Sequence, residues 1–286
     1  MSGILYLCAT PIGNLEDITL RVLRTLQEVD LIAAEDTRHS IKLLNHFEIK
    51  TPMTSYHEFN RVEKAIYLVE QLKAGMNIAL ITDAGTPGIS DPGEELVRQA
   101  YAAGITVTSL PGACAAVTAL TLSGLSTRRF CFEAFLPTDK GERQELLEEL
   151  KNDTRTIILY EAPHRLGKTL EELLAVLGDR RISIVKELTK LHETVWQSTL
   201  SEAVEACKIQ EPKGEYVLVL EGKSSKELRI EKQEQWSLVD LSEHMKIYLD
   251  RGLDKKEAMK AVAKDRGVSK REIYQLLLND ASQAKG

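Results

Sequence analysis

Thr82 to Gly93, TDAGTPGISDPG, constrains what this chain can fold into more than any other stretch. It follows an apolar run, Asn77 to Ile81, that reads as one short buried strand. At Glu94 it gives way to a helical pattern that runs to Ala103. Strand, connection and helix in that order form half of a parallel crossover unit. Such connections usually take about 2–6 residues, so this one is long for a plain turn. Gly85, Gly88 and Gly93 have no Cβ to hold a bound molecule away, and Pro87 and Pro92 fix the path of the backbone. Ligands of open α/β sheets bind outside the carboxyl ends of the strands, where such loops lie. A ligand loop is the expectation.

The same grammar recurs along the first half of the chain. Ile4 to Ala9 reads as a strand, broken by Thr10-Pro-Ile-Gly-Asn14, and Leu20, Leu23, Leu26 and Val29 then recur at helical spacing. The strand Leu31 to Ala34 runs into Glu35-Asp-Thr-Arg-His39, an abrupt change from buried to ionisable residues. Thr51 to Tyr56 reads as a further strand and is followed by His57-Glu-Phe-Asn60; a helix is expected over Val62 to Lys73. Strand Ile105 to Leu110 ends in Pro111-Gly-Ala-Cys-Ala115, where small residues open a helix and leave its first N–H groups accessible. None of these loops matches the dinucleotide fingerprint G-x-G-x-x-G or the phosphate loop G-x-x-x-x-G-K-[ST]. A nicotinamide enzyme and a P-loop nucleotidase are therefore unsupported.

Residues 124–129 read as a link to a second α/β unit. Its strands are expected over Phe130–Leu136, Thr156–Tyr160, Arg181–Leu188 and Tyr216–Glu221. Tyr160-Glu-Ala-Pro-His-Arg165 opens a helix with proline in its first turn, and His164 and Arg165 are placed to meet phosphate or to form a surface ion pair. Glu187-Leu-Thr-Lys190 ends the next strand. The expected domains are thus 1–124, 125–223 and a helical segment, 237–286, with the charged stretch Lys223 to Gln235 as a linker. In that last segment Gly267 sits where a helix ends, and Ser269 and Glu272 form a capping box for the next helix, with Ile273, Leu276 and Leu277 facing inward. The pattern fits a helix-turn-helix. Lys256, Lys260 and Lys264 share one helical face, and with Lys270 and Arg271 they belong to a local excess of five positive charges between 251 and 271. That excess stands out in a chain whose net charge is −6, and it suits nucleic acid better than the whole-chain charge does. A helical cap or a dimer contact is the alternative.

The four cysteines, at 8, 114, 131 and 207, show no C-x-x-C spacing and read as reduced residues, with no metal site expected. No apolar run approaches the length of a membrane span, and no charged-then-apolar leader opens the chain. A cytoplasmic protein is expected.

Six motifs in order, TPIGNLEDIT, AAEDTRH, TDAGTPGISDPG, LPGACAA, YEAPHR and ELTK, resemble the tetrapyrrole methylase superfamily, and most closely its ribosomal RNA small-subunit methyltransferase I branch. The resemblance covers about residues 3 to 222. It implies two α/β domains of tetrapyrrole methylase type with a cleft between them, plus a small C-terminal helical domain. It also implies S-adenosylmethionine as cofactor, a homodimer, and methylation of a cytidine 2′-hydroxyl in 16S ribosomal RNA or the small ribosomal subunit. Carried over residue by residue, Ile12, Gly13, Asp83, Ala84, Gly85, Thr86, Pro111, Gly112 and Ala113 hold the cofactor. Asp36, Arg38 and His57 face the acceptor, with Asp36 or His57 as base and Arg38 on a phosphate. His164, Arg165, Lys256, Lys260, Lys264, Lys270 and Arg271 contact RNA. Family members often carry a second histidine and an acid where this chain has Phe59 and Arg61. Two alternatives stand beside this reading: a methylase acting on a tetrapyrrole, and a non-catalytic nucleic-acid-binding protein with a degenerate cleft.

Overall fold

The computed structural model describes residues 2–283. Met1 and the last three residues of the segment expected to be helical, 284–286, lie outside the described residues. The chain divides into two compact units, Met1–Leu150 with Arg155–Glu221, and Lys151–Thr154 with Gly222–Gly286.

The larger unit holds two five-stranded sheets. In the first, β1 (Ile4–Cys8), α1 (Leu20–Glu28), β2 (Leu31–Ala34), α2 (Thr37–His46), β3 (Met53–Ser55), α3 (Arg61–Lys73), β4 (Ile78–Ile81), α4 (Gly93–Ala102) and β5 (Thr106–Leu110) follow one another. The strands lie in the order β3-β2-β4-β1-β5, all parallel. Every residue of β4 is buried, because helices cover both faces of a parallel sheet. α1 and α2 pack through Val22, Leu26 and Leu44 on Ile32, Ala79 and Ile81. On the other face, α3 and α4 pack through Leu68, Leu72 and Leu96 on Leu5, Ile78 and Leu80. The alternation of strand side chains thus feeds two cores.

One element of this sheet differs from the sequence reading. Glu35 to His39 is not an extended polar loop: Asp36 caps α2, accepting the Arg38 backbone N–H at 2.8 Å, and the helix starts at Thr37. An aspartate before a polar first turn is a helix start, and the charges conceal it.

The second sheet comprises β6 (Phe130–Phe135), β7 (Thr156–Glu161), β8 (Arg181–Lys186), β9 (Thr194–Thr199) and β10 (Tyr216–Leu220), in the order β6-β7-β10-β8-β9. Only β6 and β7 pair in parallel. One face is covered by the helices α6 (Lys140–Lys151), α7 (Pro163–Leu177) and α8 (Leu200–Ile209). α5 (Ala115–Leu122), the helix after β5, lies on the other face through Ala116, Ala119 and Leu120 against Ile158, Val185 and Val219. Packing therefore passes to the second sheet before residue 124. Strand β9 has no counterpart among the expected strands: its first four residues are exposed, so no buried face marks it in the sequence.

The smaller unit contains α9 (Ser225–Leu238), α10 (Leu241–Asp250), α11 (Lys255–Arg266) and α12 (Lys270–Gln283). The expected linker over Lys223 to Gln235 is helical instead. Ser224 and Glu227 form a capping box, with Ser224 Oγ accepting the Glu227 N–H at 3.0 Å and Glu227 Oε2 accepting the Ser224 N–H at 3.2 Å. The Lys, Glu and Gln that follow are good helix formers. Gly267 closes α11 in the left-handed conformation, and Ser269 with Glu272 opens α12. Ala258, Val262 and Ile273 form the core between α11 and α12, whereas Leu276, expected inward, is 46% exposed. His244 is fully buried, stacked on Trp236 and hydrogen-bonded to Asp265 at 3.2 Å; burial lowers its pKa.

Candidate active site

The carboxyl ends of β1, β4 and β5 are stitched to one another by backbone. Thr10 and Gly85 exchange N–H···O bonds of 2.9 and 3.1 Å, and Thr10 Oγ1 donates to the Thr82 carbonyl at 3.1 Å. Thr86 Oγ1 reaches the Ala113 carbonyl at 3.0 Å. Gly85 has φ of +88°, a conformation that disfavours any Cβ. The Asp91 carboxylate closes the long loop by accepting the N–H groups of Gly88 and Gly93, and its burial raises its pKa. Buried main-chain groups are thus satisfied within the loops, which leaves a rigid surface of backbone.

That surface forms one wall of a cavity of ≈ 340 Å³. Ile12, Ala84, Gly85, Thr86, Cys114 and Ala115 line it from the first sheet's loops and the start of α5. Phe135, Tyr160, Glu161, Ala162, Val185, Leu188 and Tyr216 line it from the second sheet. A bulge between Phe132 and Phe135, with Ala134 at φ of +50°, precedes Phe135 at this wall. Tyr160 packs edge-on against Phe132 and Phe135, and its hydroxyl accepts the Ala116 N–H at the start of α5 at 3.1 Å. Burial pushes the Tyr160 phenol up to about 12, so it stays protonated.

Of the residues expected to hold a cofactor, Ile12, Ala84, Gly85 and Thr86 line the cavity, and Ala113 secures Thr86 from behind. The others support the loops. A Cβ on Gly13 would lie 2.5 Å from Lys190 Cγ, and one on Gly112 would lie 2.7 Å from Ala9 Cβ. These two glycines permit close packing of chain on chain. Asp83 turns away to accept the Asp36 N–H at 3.1 Å, and Pro111 is exposed. Sequence reasoning missed the second wall, Phe135, Tyr160, Val185 and Tyr216, because apolar residues on strands carry no signal that separates a lining from a core.

The acceptor candidates gather at the ends of the neighbouring strands β2 and β3, where the Tyr56 N–H bonds the Ala34 carbonyl at 2.8 Å. Asp36 binds Arg38 through both carboxylate oxygens, at 3.1 and 2.8 Å. The hydrogen bonds from Arg38 hold the Asp36 carboxyl down at about 2. His57 Nδ1 is buried and has no hydrogen-bond partner among the described residues. Phe59 is 98% exposed, and Arg61 pairs with Glu58. In the second sheet the expected pair separates. His164 is exposed, whereas the Arg165 guanidinium is committed inward, to the Leu136 carbonyl at 2.9 Å and to buried Glu161 at 3.5 Å. Lys256, Lys260, Lys264 and Arg271 are exposed and Lys270 half-buried on the helical unit.

Two sheets meeting across an apolar cavity, one presenting backbone loops at its strand ends, define a two-lobed α/β enzyme that takes a small ligand between its lobes. The model of the Tetrapyrrole (Corrin/Porphyrin) Methylases matches residues 5–204, and the chain belongs to that family. It is 50% identical over 275 residues to the Ribosomal RNA small subunit methyltransferase I of Halalkalibacterium halodurans, covering 96% of this chain and 94% of that protein. To the protein of the same name in Bacillus subtilis it is 47% identical over 272 residues, covering 95% and 93%. Among solved structures, diphthine synthase superposes with a TM-score of 0.60 at 17% identity, covering 78% of this chain and 91% of that one. Uroporphyrin-III-C-methyltransferase from Thermus thermophilus does so with 0.55 at 21%, covering 77% and 94%. These last two likenesses establish the fold alone.

Proposed function

We propose that this chain transfers a methyl group from S-adenosylmethionine to the 2′-hydroxyl of a cytidine in 16S ribosomal RNA. The observation that carries the reading is the near full-length similarity, at 47 to 50% identity, to proteins named for methylation of small-subunit ribosomal RNA. A tetrapyrrole substrate is not favoured by those relatives. The cavity suits the cofactor. Its volume lies within the roughly 300–1,000 Å³ of small-molecule sites, and Gly85 and Ala84 let main chain approach without side-chain obstruction. Ile12, Ala84, Gly85 and Thr86 would hold S-adenosylmethionine from one side and Phe135, Tyr160 and Val185 from the other. When bound, it supplies a methyl group already activated by the sulfonium.

The protein's task is then placement, and in-line positioning of this kind can supply ~7–11 kcal/mol. Arg38, held by Asp36 and exposed, presents a cation to an RNA phosphate at the strand ends. With the Asp36 carboxylate engaged by Arg38, His57 is the better suited of the two to accept the hydroxyl proton. His57→Ala should therefore lower kcat by ~10²–10⁴-fold, with the affinity for S-adenosylmethionine preserved; a near-normal kcat would remove His57 from this role.

The exposed lysines of α11, with Lys270 and Arg271, would bind RNA phosphates. The triple variant Lys256→Ala, Lys260→Ala, Lys264→Ala should flatten the salt dependence of RNA binding, by roughly 0.7–0.9 in slope for each phosphate no longer neutralised. An unchanged slope would return these lysines to a solvated helix face. We also propose a cytoplasmic homodimer. On α5, Val117 and Leu122 are 49% and 40% exposed although the opposite side of the helix packs on the second sheet, as befits a helix that a second copy covers. No helix among the described residues is long and apolar enough to cross a membrane. The deciding experiment maps 2′-O-methylation in small-subunit RNA from cells with and without this protein. Loss of one cytidine methylation is expected, and an unaltered map would end the proposal.

A further inference from the structure

A second cavity, of ≈ 230 Å³, opens on the face of the second sheet opposite α5. It lies where α8 stops and leaves the ends of β8, β9 and β10 uncovered. The strand register builds it. Trp196 pairs with Ile184, while Thr194, Lys186 and Tyr216 form the adjacent row across three strands. Trp196 is thus the diagonal neighbour of Lys186 on one face. Lys213, from the connection between α8 and β10, lines the opposite side, with Gln210 and Glu211 beside it.

Three properties point to a ligand. Trp196 keeps 41% of its surface in water, beside a cavity whose floor is apolar. Neither Lys186 nor Lys213 forms an ion pair among the described residues, so both ammonium groups beside the cavity are open to an anion. Finally, Tyr216 lines both this cavity and the candidate cofactor cavity, so the two share a wall at the same end of the sheet. An aromatic face flanked by unpaired cations is the chemistry that holds a nucleotide of a single strand, base on ring and phosphate on lysine. At this volume the cavity accommodates one base and not a second cofactor.

We infer that the Trp196–Lys186–Lys213 cavity binds one unpaired nucleotide of the RNA substrate, a few nucleotides from the one that is methylated. The inference rests on the RNA reading above and deepens it. The base stacks on Trp196, the two lysines hold flanking phosphate, and the strand runs past Tyr216 toward the cleft. Such a contact fixes the register of the strand without touching the reacting atoms, which makes Trp196 a positioning residue.

The test uses the full chain carrying Trp236→Phe, so that Trp196 is the sole tryptophan of the two. Titration with single-stranded oligocytidylate should quench its fluorescence saturably. Lys186→Ala with Lys213→Ala should weaken that binding and lower its salt slope. Trp196→Ala should raise the KM for RNA by roughly 5- to 100-fold, the usual range when a stacking platform is removed. Trp196→Phe, which keeps a ring, should restore most of it, and calorimetry should give unchanged affinity for S-adenosylmethionine in every variant. No saturable quenching, or quenching indifferent to the lysines, overturns the inference, as does a KM unmoved by Trp196→Ala. The two readings fail separately. An enzyme that methylates RNA with Trp196 silent loses only this inference, while a Trp196 that responds in a protein leaving ribosomal RNA unmethylated sinks only the substrate assignment.

Discussion

The two walls of the candidate cofactor cavity are made of different material. The wall from the first sheet is mostly loop, with Gly85 at positive φ and Ala84 with its small side chain beside Ile12 and Cys114, and it is tied by Thr10, Thr82 and Thr86. The wall from the second sheet is side chain, with Phe135, Tyr160, Val185, Leu188 and Tyr216 supplying its surface. A backbone wall can offer N–H and C=O groups at fixed positions, which suits the polar parts of a ligand. A side-chain wall offers apolar area and shape. The difference predicts opposite sensitivities: the first wall should suffer from added atoms and the second from removed ones.

The largest effect is expected on the backbone wall. Ala84 is exposed to the cavity and lies at no special backbone angle, so Ala84→Leu adds atoms to the ligand space without straining the loop. Overpacking of about 1–3 kcal/mol translates into an affinity for S-adenosylmethionine weakened about 10- to 100-fold. Isothermal calorimetry reads this directly, and an unaltered melting temperature shows that the fold is intact. Gly85→Ala is the poorer probe, since φ of +88° disfavours any Cβ and loop strain would accompany the loss. If Ala84→Leu binds normally, the cofactor does not lie against this loop, and the contrast between the walls collapses.

Removal is the probe for the other wall, and its effect should be smaller. Tyr160→Phe deletes one hydroxyl and leaves the ring packed against Phe132 and Phe135. The Ala116 N–H then loses its acceptor, a change of about 0.5–1.5 kcal/mol in net hydrogen-bond terms. Because that bond ties α5 to β7 beside the cavity, affinity for S-adenosylmethionine should fall about 2- to 10-fold. A loss as large as that of Ala84→Leu would mean that the phenol meets the ligand's polar atoms, and the second wall would no longer count as apolar surface alone.

The same difference explains what the sequence disclosed. Glycine and proline at a strand's end leave a visible signature, so the loops at 10–14, 82–93 and 111–115 were legible with no structure at all. Their division of labour was not. Gly13 and Gly112 carry the same letter as Gly85, yet a Cβ on either would meet Lys190 or Ala9, a packing role that the letters do not disclose. Arg165 looked as available as His164, and only the fold reveals that its guanidinium is spent on Leu136 and Glu161. Strand β9 and Trp196 were invisible because both faces of that edge lack a hydrophobic alternation. The helix α9 was hidden by its charges, although its capping box was present in the letters.

The smallest expected effect belongs to Asp36, and it sharpens the comparison from the acceptor side. Its carboxylate is turned on its own chain, capping α2 and binding Arg38, and these hydrogen bonds bring its pKa from 3.8 to about 2. A folded-state value below the unfolded one means that the native protein takes up this proton less readily. The stabilisation is then present above about pH 4 and is lost as pH falls through about 2. Because the group is exposed, the effect is weak and should fade further with salt. Denaturant melts of Asp36→Ala between pH 5 and pH 2 should therefore run slightly below and flatter than those of the parent. Asp36→Asn keeps a competent cap but not the charged pairing with Arg38, so its stability should lie slightly below the parent near neutral pH and converge on it near pH 2, and its kcat should fall less than about 10-fold. A drop of ~10²–10⁴-fold would instead make Asp36 the proton acceptor despite its pairing with Arg38. In that case RNA binding must pull the guanidinium away before the methyl group moves.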